Sequence, residues 1–442
     1  MNPRAEERAP PVRPAVMHGG YTADAQSRGR RYDVTAVGGG WPTGLLCGAA
    51  FASIISRMIS NWRAREGRSL GSALLLTLSL LLAVVCVPSA SAATAGCQED
   101  GNYETCFIYG ETESTLLVSR IRGKVDATAR ASAAGESGNY IRIALYDWKA
   151  DGGGLALASS LVNAADSGVS VRLVIGTAAA AVKTELAKAD IGITYCADAC
   201  ATPGSGAMHN KFFLIRKGDT KLVMQSSSNI GSTQARHAQN MLVVRDDAAL
   251  FSAYVNYWRR LNAKSWTYDG VTWGTDASRT HDGGNDLSKA YFFPQPHSTR
   301  VADVLGNVSD CAEGNDRVWV EASLLDSSSY SSGVIAQLNR LESLGCDVKV
   351  VVQKGAGRDT LLAKGIASSD VRCDGYSHNK VIVLDAKYAG QWRKAVFVGS
   401  YNLTENSATR ANDAMLRVIN GWVTNRYIEQ FRQLWANPRA CD

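Results

Sequence analysis

Apolar runs of strand length alternate along this chain with stretches of helical composition, and the same order of elements occurs twice. In each half, an apolar strand is followed by a helical stretch, a glycine that ends it, and a second strand. These elements are residues 141–146, 155–165 and 169–175 after Gly168, and then 318–322, about 334–344 and 348–352 after Gly345. Strand–helix–strand alternation predicts an α/β layer architecture.

Each half continues in the same order. A second helical stretch, at 179–189 and at 359–364, leads to a short strand that ends near a cysteine. A polar tripeptide then opens a third strand, and a further strand and an amphipathic helix close each half, at 254–261 and at 427–434. An internal repeat of this length predicts two similar domains rather than a solenoid.

The chain of 442 residues is long enough for two domains with separate cores. We place the first repeat at residues 97–263 and the second at residues 289–442. Residues 264–288 between them are polar and rich in Gly and Asp, and we interpret them as a linker or lid.

The net charge of +6 comes mainly from the start of the chain. Residues 1–92 hold ten arginines and five acidic residues, so of the 47 basic and 41 acidic residues in total, 37 and 36 lie downstream. The part expected to fold therefore carries a net charge near +1. Composition alone gives no electrostatic case for a polyanionic partner.

Residues 1–92 have the features of an N-terminal extension followed by a signal peptide. Three arginines precede an apolar stretch at 73–87, and an Ala-Ser-Ala sequence ends at Ala92. This order predicts secretion and cleavage after Ala92, while a signal-anchor helix is the competing interpretation. A start at Met58 gives an n-region of ordinary length, so we place the signal peptide at about 58–92.

Eight cysteines lie downstream of residue 92, an even number that in an exported chain predicts disulfides. Local spacing favours Cys97–Cys106 and Cys196–Cys200. Cys311–Cys346 would then lie within the second half, and Cys373 would be left with Cys441. A zinc site at Cys196 and Cys200 is the alternative, although no second pair of matching spacing lies beside it.

The tripeptide that opens the third strand of each half is His-Asn-Lys, at residues 209–211 and 378–380. Residues i and i+2 of a strand point to the same face, so the histidine and lysine of each copy project together. A Ser-x-Asn sequence follows each copy, at residues 227–229 and 400–402. Each motif alone is typical of a surface strand or a turn. Lysine is rarely buried unpaired, so a histidine and a lysine on one strand face make a poor core element. The duplication of both motifs therefore indicates function.

Two such constellations fit phosphoryl chemistry. One imidazole can attack phosphorus while the other protonates the leaving group. Lysine, serine and asparagine side chains can donate hydrogen bonds to the phosphoryl oxygens as charge develops in the transition state.

The paired motifs resemble those of the phospholipase D superfamily, in which each of two repeats carries His-x-Lys-x-x-x-x-Asp and then Gly-Ser-x-Asn. The second copy matches in full, including Asp385 and Gly399. In the first copy, Arg216 stands in place of the acid and Ser226 in place of the glycine. The resemblance covers about residues 97–442.

The family also places a carboxylate eleven residues after the asparagine, hydrogen-bonded to the catalytic imidazole. Asp413 occupies that position in the second copy and is expected to orient His378. Asn240 occupies it in the first copy and is expected to orient His209. A carboxylate partner favours imidazolium, whereas an amide adds no charge, so the two histidines are predicted to differ.

The resemblance implies two domains, each a mixed β-sheet flanked by helices, packed as a pseudo-dimer with the active site at their interface. It implies phosphodiester hydrolysis through a phosphohistidine, with no metal or cofactor. In related secreted bacterial enzymes the first histidine is the nucleophile, which assigns attack to His209 and leaves His378 as the general acid. An Asp413–His378 contact would favour the reverse. The implied catalytic residues are His209, Lys211, His378, Lys380 and Asp385, the phosphate-binding residues Ser227, Asn229, Ser400 and Asn402, and the orienting residues Asn240 and Asp413.

Export, near-neutral charge and a duplicated chain favour a secreted phospholipase D that hydrolyses or transfers phospholipid headgroups at a membrane surface. Aromatic residues near the linker can meet a lipid interface or pack between the domains; they are Trp266, Tyr268, Trp273, Tyr291, Phe292 and Phe293. The alternatives are an extracellular nuclease or other phosphodiesterase, with nucleic acid as partner, and a binding protein with an inactive site. No obligate protein partner is evident.

Overall fold

Two β-sheets of matching strand order form the centre of the protein, seen in a computed structural model. The structure describes residues 95–110, 112–201, 205–264, 277–280, 287–295, 299–311 and 316–442, all within one compact unit. The predicted signal peptide and the linker residues Trp266, Tyr268 and Trp273 lie outside these ranges. No helix in the described ranges has the length and apolarity needed to cross a membrane.

The first sheet has eight strands in the order β1-β2-β8-β7-β6-β3-β4-β5. Strands β3, β4 and β5 are parallel to one another, and the other neighbours are antiparallel. The strands are β1 (Gly96–Asp100), β2 (Tyr103–Tyr109), β3 (Tyr140–Trp148), β4 (Ser170–Ala178), β5 (Gly192–Tyr195), β6 (Lys211–Lys217), β7 (Thr220–Ser226) and β8 (Ala238–Arg245).

The second sheet repeats this order as β9-β10-β17-β16-β15-β12-β13-β14, with β11 paired to β15 as an addition. Its strands are β9 (Ala277–Thr280), β10 (Leu287–Phe292), β11 (Val308–Asp310), β12 (Arg317–Ala322), β13 (Asp347–Val352), β14 (Val371–Cys373), β15 (Lys380–Tyr388), β16 (Gln391–Gly399) and β17 (Ala414–Ile419). Strand β9 and the start of β10 belong to the predicted linker 264–288. That segment therefore supplies edge strands of the second sheet.

Ten α-helices of the described residues cover and separate the sheets. They are α1 (Leu116–Ala133), α2 (Gly154–Asp166), α3 (Ala180–Leu186), α4 (Ser232–Ala235), α5 (Ala248–Asn262), α6 (Arg300–Gly306), α7 (Ser329–Ser343), α8 (Gly355–Ala363), α9 (Glu405–Thr409) and α10 (Gly421–Ala436). A short 3₁₀ helix lies at Ser368–Asp370. The mixed α/β class and the two similar domains predicted from the sequence are confirmed.

Helices α5 and α10 lie between the two sheets and carry the core that joins the repeats. Their apolar faces meet aromatic rings of both halves: the Tyr427 ring lies edge-on to Phe107, with centroids 4.9 Å apart, and Tyr257 stacks on Phe292 at 4.3 Å. Separate apolar clusters fill the outer side of each sheet. The shared core makes the two repeats one packed body, since each half buries aromatic surface against the other.

The four disulfide pairs expected from the sequence are confirmed. They join Cys97 to Cys106, Cys196 to Cys200, Cys311 to Cys346 and Cys373 to Cys441. The thiols of Cys196 and Cys200 are thus bonded to each other, which excludes the zinc alternative at that pair.

We expect the disulfides to stabilise the fold according to the loops they close. Cys311–Cys346 spans 35 residues and Cys196–Cys200 only four. Removing the first bridge with paired Cys→Ser changes should lower the free energy of unfolding by about 4 kcal/mol, and removing the second by about 2 kcal/mol, because a longer loop restricts the unfolded chain more. Equilibrium unfolding in urea measures both; equal losses would contradict the loop-length explanation.

Candidate active site at the interface of the repeats

Both His-Asn-Lys tripeptides lie at the start of a central strand, beside the carboxyl end of a parallel strand. Lys211 opens β6 opposite Leu145 of β3, and Lys380 opens β15 opposite Ala322 of β12. Each histidine lies two residues before the first residue of its strand. The two tripeptides therefore occupy equivalent places at the same edge of each sheet.

The segments that lead into the histidines pair with the opposite repeat. The His209 backbone N–H donates to the Asn412 carbonyl at 2.9 Å, and the His378 N–H donates to the Ala238 carbonyl at 3.0 Å. In return, the Asn412 and Ala238 N–H groups donate to the carbonyls of Ala207 (2.8 Å) and Tyr376 (2.7 Å). This exchange of backbone hydrogen bonds brings the two histidines into one site.

The carboxylate of Asp413 contacts His209, the histidine of the other repeat. Its Oδ1 lies 2.8 Å from His209 Nδ1 and accepts a second hydrogen bond, of 2.6 Å, from the Ser400 hydroxyl. The expectation that Asp413 orients His378 is therefore wrong. The strand exchange explains the difference, because residue 412 pairs with residue 209 and so presents the next side chain to His209.

The imidazole of His378 contacts the side-chain amide of Gln239. Asn240, which was expected to orient His209, has a different role. His378 Nδ1 lies 3.2 Å from Gln239 Oε1 and 3.2 Å from the Ser227 carbonyl. The Gln239 amide nitrogen donates to Gln234 Oε1 at 2.9 Å, so its oxygen faces the imidazole and accepts a hydrogen bond from Nδ1 when that nitrogen carries a proton.

Asn240 does not touch His209. Its side-chain nitrogen donates to Asn379 Oδ1 at 2.7 Å, and its oxygen accepts from the Tyr427 hydroxyl at 3.2 Å. In the first repeat, Asn210 donates to the Tyr257 hydroxyl at 3.1 Å. The middle residues of the two tripeptides thus tie the catalytic strands to helices α5 and α10.

Gln239 and Asp413 are structural equivalents. The Ser227 hydroxyl donates to Gln239 Oε1 at 2.8 Å, as the Ser400 hydroxyl donates to Asp413. The family spacing of eleven residues after the asparagine does not lead to Gln239, because the first repeat has one residue fewer between Asn229 and this position. Aligning Met-Leu-Val-Val at 241–244 with Met-Leu-Arg-Val at 415–418 would have found it.

The electrostatic environment differs between the two imidazoles. Burial and Lys211 lower the pKa of His209, while Asp413 opposes that shift. Burial, Lys380 and Lys211 hold the pKa of His378 well below its usual value, with no carboxylate opposing them. Although burial raises it, contact with His209 and Lys211 leaves the pKa of Asp413 below its usual value. Asp413 is therefore an anion that holds His209 in the tautomer with a free Nε2.

Both lysines are buried and lie beside their histidines. Lys211 Nζ donates to the His209 carbonyl at 2.7 Å, and Lys380 Nζ donates to the His378 carbonyl at 2.6 Å. Burial lowers the pKa of Lys211 to about 7, and burial together with Lys211 lowers the pKa of Lys380 well below its usual value. Burial and mutual repulsion thus disfavour the ammonium form of these lysines, and an anion bound in the site would favour it.

The Ser-x-Asn residues divide into two kinds. The hydroxyls of Ser227 and Ser400 also accept hydrogen bonds from the N–H groups of Asn240 (2.9 Å) and Ala414 (3.2 Å), so both are occupied in holding the histidine partners. The side-chain amides of Asn229 and Asn402 are buried, and their oxygens lack hydrogen-bond partners in the described part of the chain. Their amide nitrogens donate no hydrogen bond within the described ranges, so of the four residues expected to bind phosphate, the two asparagines have N–H donors available for it.

Asp385 lies away from the histidines. It is five residues beyond Lys380 on β15, about 16 Å at the rise of a strand. There it forms an ion pair of 3.1 Å with Arg317. The expected catalytic role of Asp385 is therefore wrong in this chain, and Arg216, its counterpart on β6, hydrogen-bonds to the Gly218 carbonyl instead.

Two side chains at the site lacked a duplicated motif and were missed. The Tyr146 ring lies edge-on to His209 with centroids 5.2 Å apart, and Lys211 Nζ is 5.4 Å from its centre. The His237 ring lies 5.9 Å from His378, and its Nδ1 is 2.7 Å from the Thr233 carbonyl. Tyr146 could have been found from its position, because it lies near the end of β3, beside the strand that follows His209.

A family model described as "Cardiolipin synthase, PLD-like domain" matches residues 132–262 and 312–435, more than half of the chain. The chain belongs to the phospholipase D superfamily. The two matched ranges contain strands β3–β8 of the first sheet and β12–β17 of the second, and each contains one His-Asn-Lys tripeptide. A search of curated proteins gave no significant match.

Solved structures that are similar to this phospholipase D superfamily member share little sequence with it. Phosphatidylserine synthase from Haemophilus influenzae Rd KW20 is 12% identical with a TM-score of 0.51, over 75% of this chain and 85% of that one. Polyphosphate kinase from Porphyromonas gingivalis is 15% identical with a TM-score of 0.47, over 75% of this chain and 50% of that one, so this chain spans about half its length. Nuc from Salmonella typhimurium, a phospholipase D family member, is 19% identical with a TM-score of 0.26, over 36% of this chain and 99% of that one.

Asp413 contacts His209 of the other repeat, and Gln239 contacts His378 in the same crossed way. Changes at these two partners should therefore shift the pKa values of the two histidines in opposite directions. Asp413→Asn should lower the pKa of His209, because the carboxylate is what raises it. Gln239→Glu should raise the pKa of His378, because it places a carboxylate beside Nδ1. NMR titration of imidazole nitrogens measures both values. A main effect of Asp413→Asn on His378 would contradict the crossed arrangement.

Proposed function

We propose that the protein is a secreted phosphodiesterase of phospholipase D type, with His209 as nucleophile and His378 as general acid. The observation that carries the proposal is the hydrogen bond between Asp413 and His209. A buried carboxylate on Nδ1 increases electron density at Nε2 and stabilises the positive charge that develops when Nε2 forms a bond.

In the first step, His209 Nε2 attacks phosphorus as the bond from phosphorus to the leaving-group oxygen breaks. His378 gives the proton on its Nε2 to that oxygen, so an alcohol leaves and a phosphohistidine remains. Lys211, Lys380 and the amides of Asn229 and Asn402 stabilise the charge on the phosphoryl oxygens. The anionic substrate favours protonated His378, since it counters the cations that depress the pKa of that imidazole.

In the second step, water attacks phosphorus and gives a proton to His378 Nε2, and the bond from phosphorus to His209 breaks. A monoester is released and both histidines return to their starting state. An alcohol in place of water completes a headgroup transfer by the same proton movements.

A phospholipid substrate is supported by apolar side chains around the site. Six large apolar residues are exposed among the described residues. Four of them lie at or beyond the carboxyl ends of parallel strands, on the same edge as the histidines; they are Leu155, Tyr195, Leu324 and Tyr376. Lys183 and Arg439 lie over the rings of Tyr195 (5.0 Å) and Tyr376 (4.8 Å). Aromatic rings beside cationic side chains are typical of surfaces at the level of lipid headgroups.

Secretion is supported by the four disulfides, which persist in oxidising compartments. The intact His-Lys pairs argue against an inactive binding protein. Net charge near +1 downstream of residue 92 gives less support to a nucleic-acid substrate than the apolar residues give to a lipid.

The purified mature protein should release choline from phosphatidylcholine vesicles and leave single- and double-stranded DNA intact, equally with and without a chelator. His209→Ala should abolish turnover because it removes the nucleophile. Arg317→Gln is the control, since Arg317 pairs with Asp385 at the far end of β15. DNA cleavage without choline release would overturn the lipid assignment, and substantial activity of His209→Ala would overturn the mechanism.

Activity should fall as pH rises through about 7. Burial lowers the pKa of Lys211 to about 7, so the free enzyme holds this cation below that pH and loses it above. A bound phosphodiester anion favours the ammonium form and moves the loss to higher pH. The alkaline limb of kcat/KM should therefore lie below that of kcat. A kcat/KM that stays flat from about pH 6 to about pH 9 would contradict this role of Lys211.

A further inference from the structure

The segment that follows helix α10, residues 437–442, is attached to the loop that leads into His378. The loop, residues 373–377, contains Asp374, whose side chain is fully buried. Arg439 donates two hydrogen bonds to that carboxylate, from Nε at 2.7 Å and from Nη2 at 2.6 Å. Its guanidinium also lies 4.8 Å from the centre of the Tyr376 ring.

Further bonds attach the same two segments. Cys441 is disulfide-bonded to Cys373, and the Gly375 N–H donates to the Ala440 carbonyl at 2.9 Å. A Cβ at Gly375 would lie 2.6 Å from that carbonyl oxygen, so the contact leaves no space for a side chain. The loop is therefore held at its start and its middle by residues 65 to 68 positions away in sequence.

Asp374 transmits this attachment along the loop. Its carboxylate accepts from the Tyr376 N–H at 3.1 Å, and its backbone carbonyl accepts from the Ser377 N–H at 2.8 Å. The Tyr376 carbonyl and the His378 N–H then hydrogen-bond to Ala238, which directly precedes Gln239. The path from Arg439 thus ends at both His378 and the amide that holds its imidazole.

We infer that Arg439 is a positioning residue for the general acid His378. It acts through Asp374, since a guanidinium that binds a buried carboxylate at two points fixes both the position and the orientation of the loop. Lysine supplies the charge without the two-point geometry. The inference rests on the proposed role of His378 as the proton donor.

The test uses two substrates with the same phosphatidyl group: phosphatidylcholine and phosphatidyl-p-nitrophenol. Both give the same phosphohistidine, but p-nitrophenolate leaves as a stable anion and does not need a proton, whereas the choline alkoxide does. Misplacing the general acid therefore slows the first substrate selectively. Damage to the fold or to His209 slows both alike.

For Arg439→Gln we expect kcat/KM on phosphatidylcholine to fall about 10- to 100-fold and on phosphatidyl-p-nitrophenol about 3-fold or less. Arg439→Lys should lie between this variant and the wild type. His378→Ala removes the general acid itself, so it should show the largest ratio between the kcat/KM losses on the two substrates. Arg317→Gln removes a guanidinium of similar exposure (21% against 17%) from an ion pair elsewhere in the second repeat and should leave the ratio unchanged.

Equal losses on the two substrates in Arg439→Gln or Arg439→Lys would overturn the positioning role and leave the proposed function standing. A wild-type protein that hydrolyses neither substrate would overturn both. If Arg439→Gln does not fold, judged by circular dichroism, Arg439→Lys decides the question. A selective loss on phosphatidylcholine in Arg439→Lys would support the positioning role, and a ratio equal to that of the wild type would overturn it.

Discussion

The active site depends on the hydrogen bond between His209 of the first repeat and Asp413 of the second. Asp413 is fully buried and the His209 side chain is only 15% exposed, so the interaction is strong and the carboxylate is costly to bury alone. It exists because the backbone at residue 412 pairs with the backbone at residue 209 across the interface. Neither repeat therefore contains a complete pair of histidine and carboxylate.

The duplication has become asymmetric at this interface. The first histidine faces a carboxylate and the second an amide, in otherwise matching strands with matching serine contacts. A charged partner suits a nucleophile that becomes positive, and a neutral partner suits an acid that must give its proton away. The same geometry thus supports two roles through the difference between Asp413 and Gln239.

Most of the fold and the two His-Lys pairs were predictable from sequence, because periodicity, glycine stops and a repeated tripeptide are local signals. Two of the four disulfides followed from local spacing, and the other two from the cysteines that remained. The partners of the histidines did not follow, since the crossing of strands between repeats is a tertiary feature that no count within one repeat reveals. Asp385 was misassigned for a related reason: a family motif records a spacing, whereas five residues along a strand carry the side chain about 16 Å from the lysine.

The most direct test of the central claim is to trap the covalent intermediate and map it. The protein is mixed with phosphatidyl-p-nitrophenol, quenched within the first turnover at alkaline pH, digested and analysed by mass spectrometry. We expect the phosphatidyl group on the peptide that contains His209, because Asp413 activates that imidazole. Recovery of the label on His378 would contradict the assignment of nucleophile and acid.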